Sequence, residues 1–144
     1  MMSKVMAVNI GEEKGVTKNL IEKGFFKINH GFDGDTQSGD WNRQVSLLGI
    51  ESIKKMKAVG IDLITTGQFA ENITTEGLIL YELPVGTKLK IGEVLFEVTQ
   101  IGRECNKGYK IKELVGECAM PKEGIFAKVL EEGYIKAGDE IVVL

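Results

Sequence analysis

Cys105 closes the stretch Glu97–Cys105, EVTQIGREC, and is one of two cysteines in a chain of 144 residues. A thiol at a strand end beside an arginine such as Arg103 can be partly exposed, with its thiolate favoured by positive charge; nucleophilic sulfur transfer and soft-metal ligation both need that state, and Glu104 opposes it. The competing reading is a small hydrophobe packed into a core. Cys118, in GECAMPKEG, carries the weaker signal of the two. The pair reads as thiols rather than as a structural disulfide in a reducing compartment.

Two polar stretches offer further chemistry. In HGFDGDTQSGDWNRQVSLLG, Asp33, Asp35 and Asp40 lack the glutamate that a helix-loop-helix calcium site requires at its twelfth position, so they read as side-chain-to-backbone turn formers in a long exposed loop. Trp41 and Arg43 in the same stretch offer a flat apolar wall and a forked cation to a planar anion. In GQFAENITTEGL, the side chains of Glu71, Asn72, Thr74, Thr75 and Glu76 can hold a loop rigid or line a pocket. His30 is the sole histidine. It falls in period with Phe26 and Ile28 and reads as a buried structural residue. With one histidine and two distant cysteines, neither a paired-cysteine nor a helical two-histidine zinc site can be assembled from adjacent ligands, and without a nucleophile-elbow pattern or a spare histidine to act as base a serine hydrolase has no support.

The elements that must position these groups are mostly strands. Eighteen glycines punctuate short runs of β-branched and aromatic residues, the pattern of a small barrel or sandwich. Lys4–Ile10 and Gly24–His30 read as strands. Lys88–Ile101 reads as two strands around Gly92 and Glu93, with Val94, Phe96 and Val98 on the core face and Glu97 and Thr99 on the other. The last segment, GIFAKVLEEGYIKAGDEIVVL, reads as a run of strands with turns at Glu132-Gly133 and Gly138-Asp139, both suited to positive φ. One segment departs from the two-residue period. In GIESIKKMKAVG, Ile50, Ile53, Met56 and Val59 recur at near-helical spacing, Glu51 can pair with Lys55, and Gly60 offers a stop, which predicts a short amphipathic helix against the barrel.

Composition sets the class. The length suits a single domain spanning residues 1–144 with one hydrophobic core. Eighteen Lys and Arg against twenty-one Asp and Glu give a formal charge of −3. That balance argues against a nucleic-acid partner and requires any anionic ligand to be met by a local cluster. No run approaches the apolar length of a membrane span and no signal peptide is evident, so the expectation is a cytoplasmic protein with no membrane partner.

Four stretches taken together, GDTQSGDWNRQVSLL, GQFAENITTEGL, LPVGTKLKIGEVLFEVTQIGREC and GECAMPKEGIFAKVLEEGYIKAGD, resemble the MOSC family, named for the C-terminal domain of the molybdenum-cofactor sulfurase. The likeness runs from about Lys14 to the last strand and is strongest to small stand-alone members. It implies a mainly β fold, a MOSC-type β-barrel with one or a few short helices, and a functional cysteine at the position of Cys105. That cysteine would serve as sulfur carrier or molybdenum ligand in cofactor maturation, with molybdopterin or the molybdenum cofactor as ligand. A cysteine desulfurase carrying pyridoxal phosphate, or a molybdopterin enzyme, would be the protein partner.

Under this reading Arg43, Lys14 and Lys18 would meet the pterin phosphate, with Trp41 and Arg103 beside the ligand. Asn72 and Thr74 would bond the pterin or fix the loop. The resemblance leaves two other functions open: a molybdenum-dependent reductase of N-hydroxylated compounds fed by an external electron donor, and a non-catalytic adaptor for a molybdopterin enzyme. Related small members often have histidine where this chain has Gln37 and Asn42, and often read Cys-His-x-x-Cys where it reads CNKGY. A reductase centre here would lack those proton carriers.

Overall fold

The computed structural model describes residues 3–11, 19–35, 38–52, 54, 71–102 and 124–144. Its strands are β1 (Ser3–Ile10), β2 (Asn19–Ile21), β3 (Lys23–Lys27), β4 (Gly31–Phe32), β5 (Val45–Gly49), β6 (Ile73–Glu76), β7 (Lys88–Ile91), β8 (Val94–Ile101), β9 (Ile125–Glu131), β10 (Gly133–Lys136) and β11 (Glu140–Val143). Seven of them form a closed barrel in the order β11-β7-β8-β9-β5-β6-β1, with β1 returning to β11 and β2 appended to β1. Closure removes the open edges that would otherwise invite pairing with other chains. The β5–β6 pair is parallel, with Leu47 opposite Ile73; the other barrel pairs are antiparallel.

Period-two alternation builds the core. Val94, Phe96 and Val98 of β8 are fully buried, as are Ile125 and Ala127 of β9, while Leu95, Glu97 and Thr99 are only partly covered. A second sheet, in the order β10-β3-β4, adds Phe26, Phe32 and Ile135 to the same apolar cluster. Phe26 packs edge-on against Phe96 at 5.8 Å and tilted against Phe32 at 4.5 Å between ring centroids, which joins the small sheet to the barrel interior. Gly24 makes this possible. A Cβ at that position would lie 2.4 Å from the Phe32 ring, so the ring rests where any side chain on β3 would stand.

Several expectations meet a different geometry. The strand expected over Gly24–His30 is β3 and stops at Lys27, because Ile28, Asn29 and His30 form a turn in which Asn29 takes φ 58°. His30 therefore leaves the face of Phe26; its side chain is 38% exposed, with Nε2 3.8 Å from Asp33 Oδ1. Ile73–Glu76 is a barrel strand, not a loop. Gly133 opens β10 and is required for close approach rather than for its φ, since a Cβ there would lie 2.7 Å from Cβ of Glu93; Gly138 does take φ 95°. β10 pairs with β3, so the turn after β9 does not make a hairpin. Ile50, Glu51, Ser52 and Lys54 are helical, and the remainder of the expected helix lies outside the described residues. Among the described residues no helix is long and apolar enough to cross a membrane.

One side chain ties three strands together on the outer face of the barrel. Asn72, fully buried, accepts at Oδ1 from Ser46 N (3.1 Å) and Ser46 Oγ (3.2 Å), and donates from Nδ2 to the carbonyl of Asn9 (3.3 Å). Its backbone N–H donates to the carbonyl of Ser46 at 2.9 Å, and its own carbonyl accepts from Asn9 N at 2.7 Å. β5, β6 and β1 thus meet at one amide.

Two stability effects follow from this packing. Gly24→Ala is expected to cost about 1–3 kcal/mol by overpacking, and Phe32→Leu in the same chain to recover part of that loss; additive losses in denaturant melts would refute the contact. Asn72→Leu removes the buried acceptor of Ser46 N and Oγ and the donor to the Asn9 carbonyl, and is expected to cost about 2–4 kcal/mol, against less than about 1 kcal/mol for an exposed control such as Asn42→Leu.

Candidate functional site

A continuous row of outer-face side chains crosses five barrel strands. Gln100 of β8 lies opposite Phe126 of β9, and Phe126 lies opposite Ser46 of β5. Ser46 bonds Asn72 at the head of β6, and Asn72 bonds Asn9 of β1. Asn9 continues the row: its Nδ2 donates to Thr74 Oγ1 (3.1 Å), and Thr74 Oγ1 donates to Glu71 Oε2 (2.8 Å). Asn9, Glu71, Asn72 and Thr74 are all at 0% exposure and Ser46 at 1%, which is unusual for five polar side chains outside a barrel core. Burial without bonds would be costly, so the relay satisfies most of these groups. Among the described residues Asn9 Oδ1 meets no hydrogen-bond partner, and neither does Thr75 Oγ1.

At the β8 end of the row stands Arg43. Its Nε donates to Gln100 Oε1 at 3.1 Å, and its guanidinium carbon lies 5.3 Å from the centre of the Phe126 ring. An edge contact and a face contact together fix the plane of the cation. The turn that carries it is held as well. Asn42 Nδ2 donates to the same Gln100 Oε1 at 3.0 Å, Thr99 Oγ1 donates to the carbonyl of Asn42, and the buried Gln44 accepts from Val129 N at 3.0 Å. Further back, Gly39 N donates to the carbonyl of His30 at 2.6 Å and Ser38 N to that of Asp35 at 3.2 Å. Trp41 is 47% exposed, and its indole edge lies 3.7 Å from where a Cβ on Gly39 would be.

The structure sorts the residues singled out from the sequence. Arg43 and Trp41 share one partly exposed turn, while Asn72 and Thr74 lie inside the buried relay that joins β5, β6 and β1. Asp35 is 4% exposed and accepts at Oδ1 from Gly11 N at 2.7 Å, which pins the end of β1. Cys105, Arg103, Lys14 and Lys18, with Cys118 and Gln37, lie outside the described residues. Their attachment points do not. Gly11 precedes the segment with Lys14 and Lys18, Glu71 follows residues 55–70, and Gly102 and Gly124 flank residues 103–123. Gly102 N donates to the carbonyl of Gly124 at 2.7 Å, which brings both ends of the Cys105 segment together beside Gln100. Among the described residues no three of His, Cys, Asp and Glu gather as a metal-binding group.

Sequence reasoning passed over Gln100 and Asn9. Thr99-Gln100, two polar residues in succession within VTQI, was the available signal, because it breaks the alternation that the rest of β8 keeps.

No curated protein matches the sequence. The fold is shared with the YuaD protein from Bacillus subtilis, at TM-score 0.80 and 18% identity over 98% of this chain and 94% of that one. It is shared also with YiiM from Geobacillus stearothermophilus, at TM-score 0.76 and 20% identity over 99% and 75%, and with YiiM from Escherichia coli, at 0.71 and 20% over 100% and 70%. At these identities the likeness concerns the fold. The family model described as the MOSC domain matches residues 33–142, which span the row from Arg43 to Phe126, and the chain belongs to this molybdenum-cofactor-related family.

Proposed function

We propose that the domain binds molybdopterin or its molybdenum complex at the β8 end of the outer row, and that Cys105 acts there as sulfur carrier or metal ligand in cofactor maturation. The observation that carries the reading is the fixed Arg43 guanidinium beside the neck from which the Cys105 segment leaves the barrel. An arginine held in one plane suits the forked recognition of a phosphate, which a chain of formal charge −3 must build locally. Covalent geometry supports the placement of the thiol: three residues beyond Gly102, the Cα of Cys105 stays within about 11 Å of it in any conformation. Lys14 and Lys18, in the segment that follows Gly11, would supply further positive charge to the phosphate.

The residues present fit such a ligand in kind. Arg43 would take the phosphate, Trp41 would offer an apolar wall, and Cys105 and Arg103 would meet the sulfur or metal end. The bound cofactor would supply the redox and sulfur-accepting chemistry. The chain's own contribution to sulfur transfer is a thiolate: Cys105 attacks the sulfane sulfur of a donor persulfide, the donor's thiolate leaves, and the sulfur remains on Cys105 as a persulfide. A cysteine desulfurase with its pyridoxal phosphate is the donor that this step calls for.

Two measurements test the reading. Arg43→Ala is expected to weaken binding of a pterin phosphate by about 1.5–3 kcal/mol in titration calorimetry, the scale of a lost charge-assisted hydrogen bond, with the thermal melt little changed. Unchanged affinity would place the phosphate elsewhere. Incubation with a cysteine desulfurase, pyridoxal phosphate and cysteine is expected to leave a persulfide on Cys105 by mass spectrometry, absent in Cys105→Ser, with that substitution costing less than about 1 kcal/mol of stability. A core cysteine gives the reverse: no persulfide, and a loss of about 1–3 kcal/mol as an unpaired hydroxyl is buried. A metal ligand that never carries sulfur gives the small stability change without a persulfide, and loses bound molybdenum in Cys105→Ser.

A further inference from the structure

What holds Arg43 is a defect in β8, and the inference drawn from it rests on the pterin reading above. β8 and β9 are in register at Val98 and Ala127 and again at Gln100 and Phe126, so two residues of β8 advance against one of β9 and Thr99 is the extra one. In an unbroken strand Thr99 and Gln100 would face opposite sides, and one of them would point into an apolar barrel. A bulge removes that constraint and lets consecutive side chains serve the same side. Here both reach the turn that carries Arg43: Thr99 Oγ1 donates to the carbonyl of Asn42, and Gln100 Oε1 accepts from Asn42 Nδ2 and Arg43 Nε.

The Gln100 amide is also fixed in orientation. Its Nε2 donates to the carbonyl of Gly102 at 2.8 Å, so a flip would set two acceptors against each other there and turn N–H groups toward the two donors of the 41–43 turn. Oε1 is therefore the atom presented to position 43. Both of its lone pairs are used, one by each donor.

We propose that the Thr99–Gln100 bulge is a positioning device that selects arginine at position 43 by its Nε–H and sets the guanidinium plane against Phe126 for an incoming phosphate. A lysine there has the charge but no donor at Nε and no plane to set. Gln100 acts through Arg43 and is a positioning residue; it need not touch the ligand.

The test uses the whole chain with a metal-free pterin monophosphate as probe. Arg43→Lys and Gln100→Met are each expected to lower affinity about tenfold, the size of one net hydrogen bond, and the double variant to bind no more weakly than the worse single one. In nitrogen-15 spectra the Arg43 Nε–H signal should exchange slowly in the unaltered protein and be lost in Gln100→Met, an effect that general destabilisation does not produce while the melt is unchanged. Should Gln100→Met fail to fold, Gln100→Asn, shorter by one methylene with the same donors and acceptors, is expected to give the same two losses.

Additive affinity losses, an unaltered affinity in the Gln100 variants, or a rapidly exchanging Nε–H in the unaltered protein would overturn the proposal. A protected Nε–H that disappears in Gln100→Met, in a protein that does not bind the probe, would leave the clamp standing and remove the pterin reading.

Discussion

A barrel strand covered on both faces has nowhere to discharge its polar groups except into its neighbours, and β6 is such a strand. Ile73 points into the barrel, while Asn72 and Thr74, on the opposite face, are equally buried. Every unpaired donor or acceptor in that position costs about 1–3 kcal/mol, so the outer face of β5, β6 and β1 must be solved as one hydrogen-bonded arrangement. Asn72 provides it by accepting from Ser46 and donating to Asn9, and Thr74 extends it to Glu71. The arrangement fixes the register of the parallel β5–β6 pair. It thereby fixes the height at which β5 receives the 38–44 turn, and Phe126, opposite Ser46, becomes the ring on which Arg43 rests. The arginine's seat is thus a consequence of how the buried amide at position 72 is satisfied.

The fold was legible where one face is apolar and the other is not. β7 and β8 could be read to the residue, because Leu89, Ile91, Val94, Phe96 and Val98 alternate with partly exposed positions around a two-residue turn. β6 was hidden for the reason that makes it important. In ENITTE a single apolar residue stands among polar ones, and the alternation that would announce a strand is absent when the second face is buried through hydrogen bonds instead of through apolar contact. The segment ending at His30 failed in the other direction. Its alternation continues past the point where Asn29, in a left-handed conformation, has already turned the chain. Gly24 and Gly133 were visible as glycines, but the Phe32 ring and the Glu93 side chain that require them come from distant parts of the chain.

The site was legible in its charge and not in its support. Arg43 and Trp41 stood out because an arginine beside the only tryptophan in a polar loop has no packing reason to be there. Gln100 did not, since strand periodicity places it on the core face, where a glutamine reads as an exception of no consequence. Only the register shift against β9 brings it to the same side as Thr99. Bulges near a site re-aim side chains in this way, and a one-residue shift leaves almost no trace in composition or spacing.

Rigidity is distributed accordingly. Antiparallel pairing along nearly the whole length of β8 and β9, finished by the bond from Gly102 N to the carbonyl of Gly124, brings the two ends of residues 103–123 to one place before any contact within that segment is considered. The loop-closure entropy for the segment is thereby borne by the barrel, and lengthening such a connection adds little because the cost grows only with the logarithm of its length. The same pairing holds Gln100, whose amide bonds the neck through Nε2 and the arginine through Oε1. A displacement of the Gly102 neck would have to rotate that amide, and rotating it would release Nε of Arg43. Arg43 and the Gly102–Gly124 neck are therefore mechanically linked through one side chain, seated on a scaffold whose stability comes from the apolar interior.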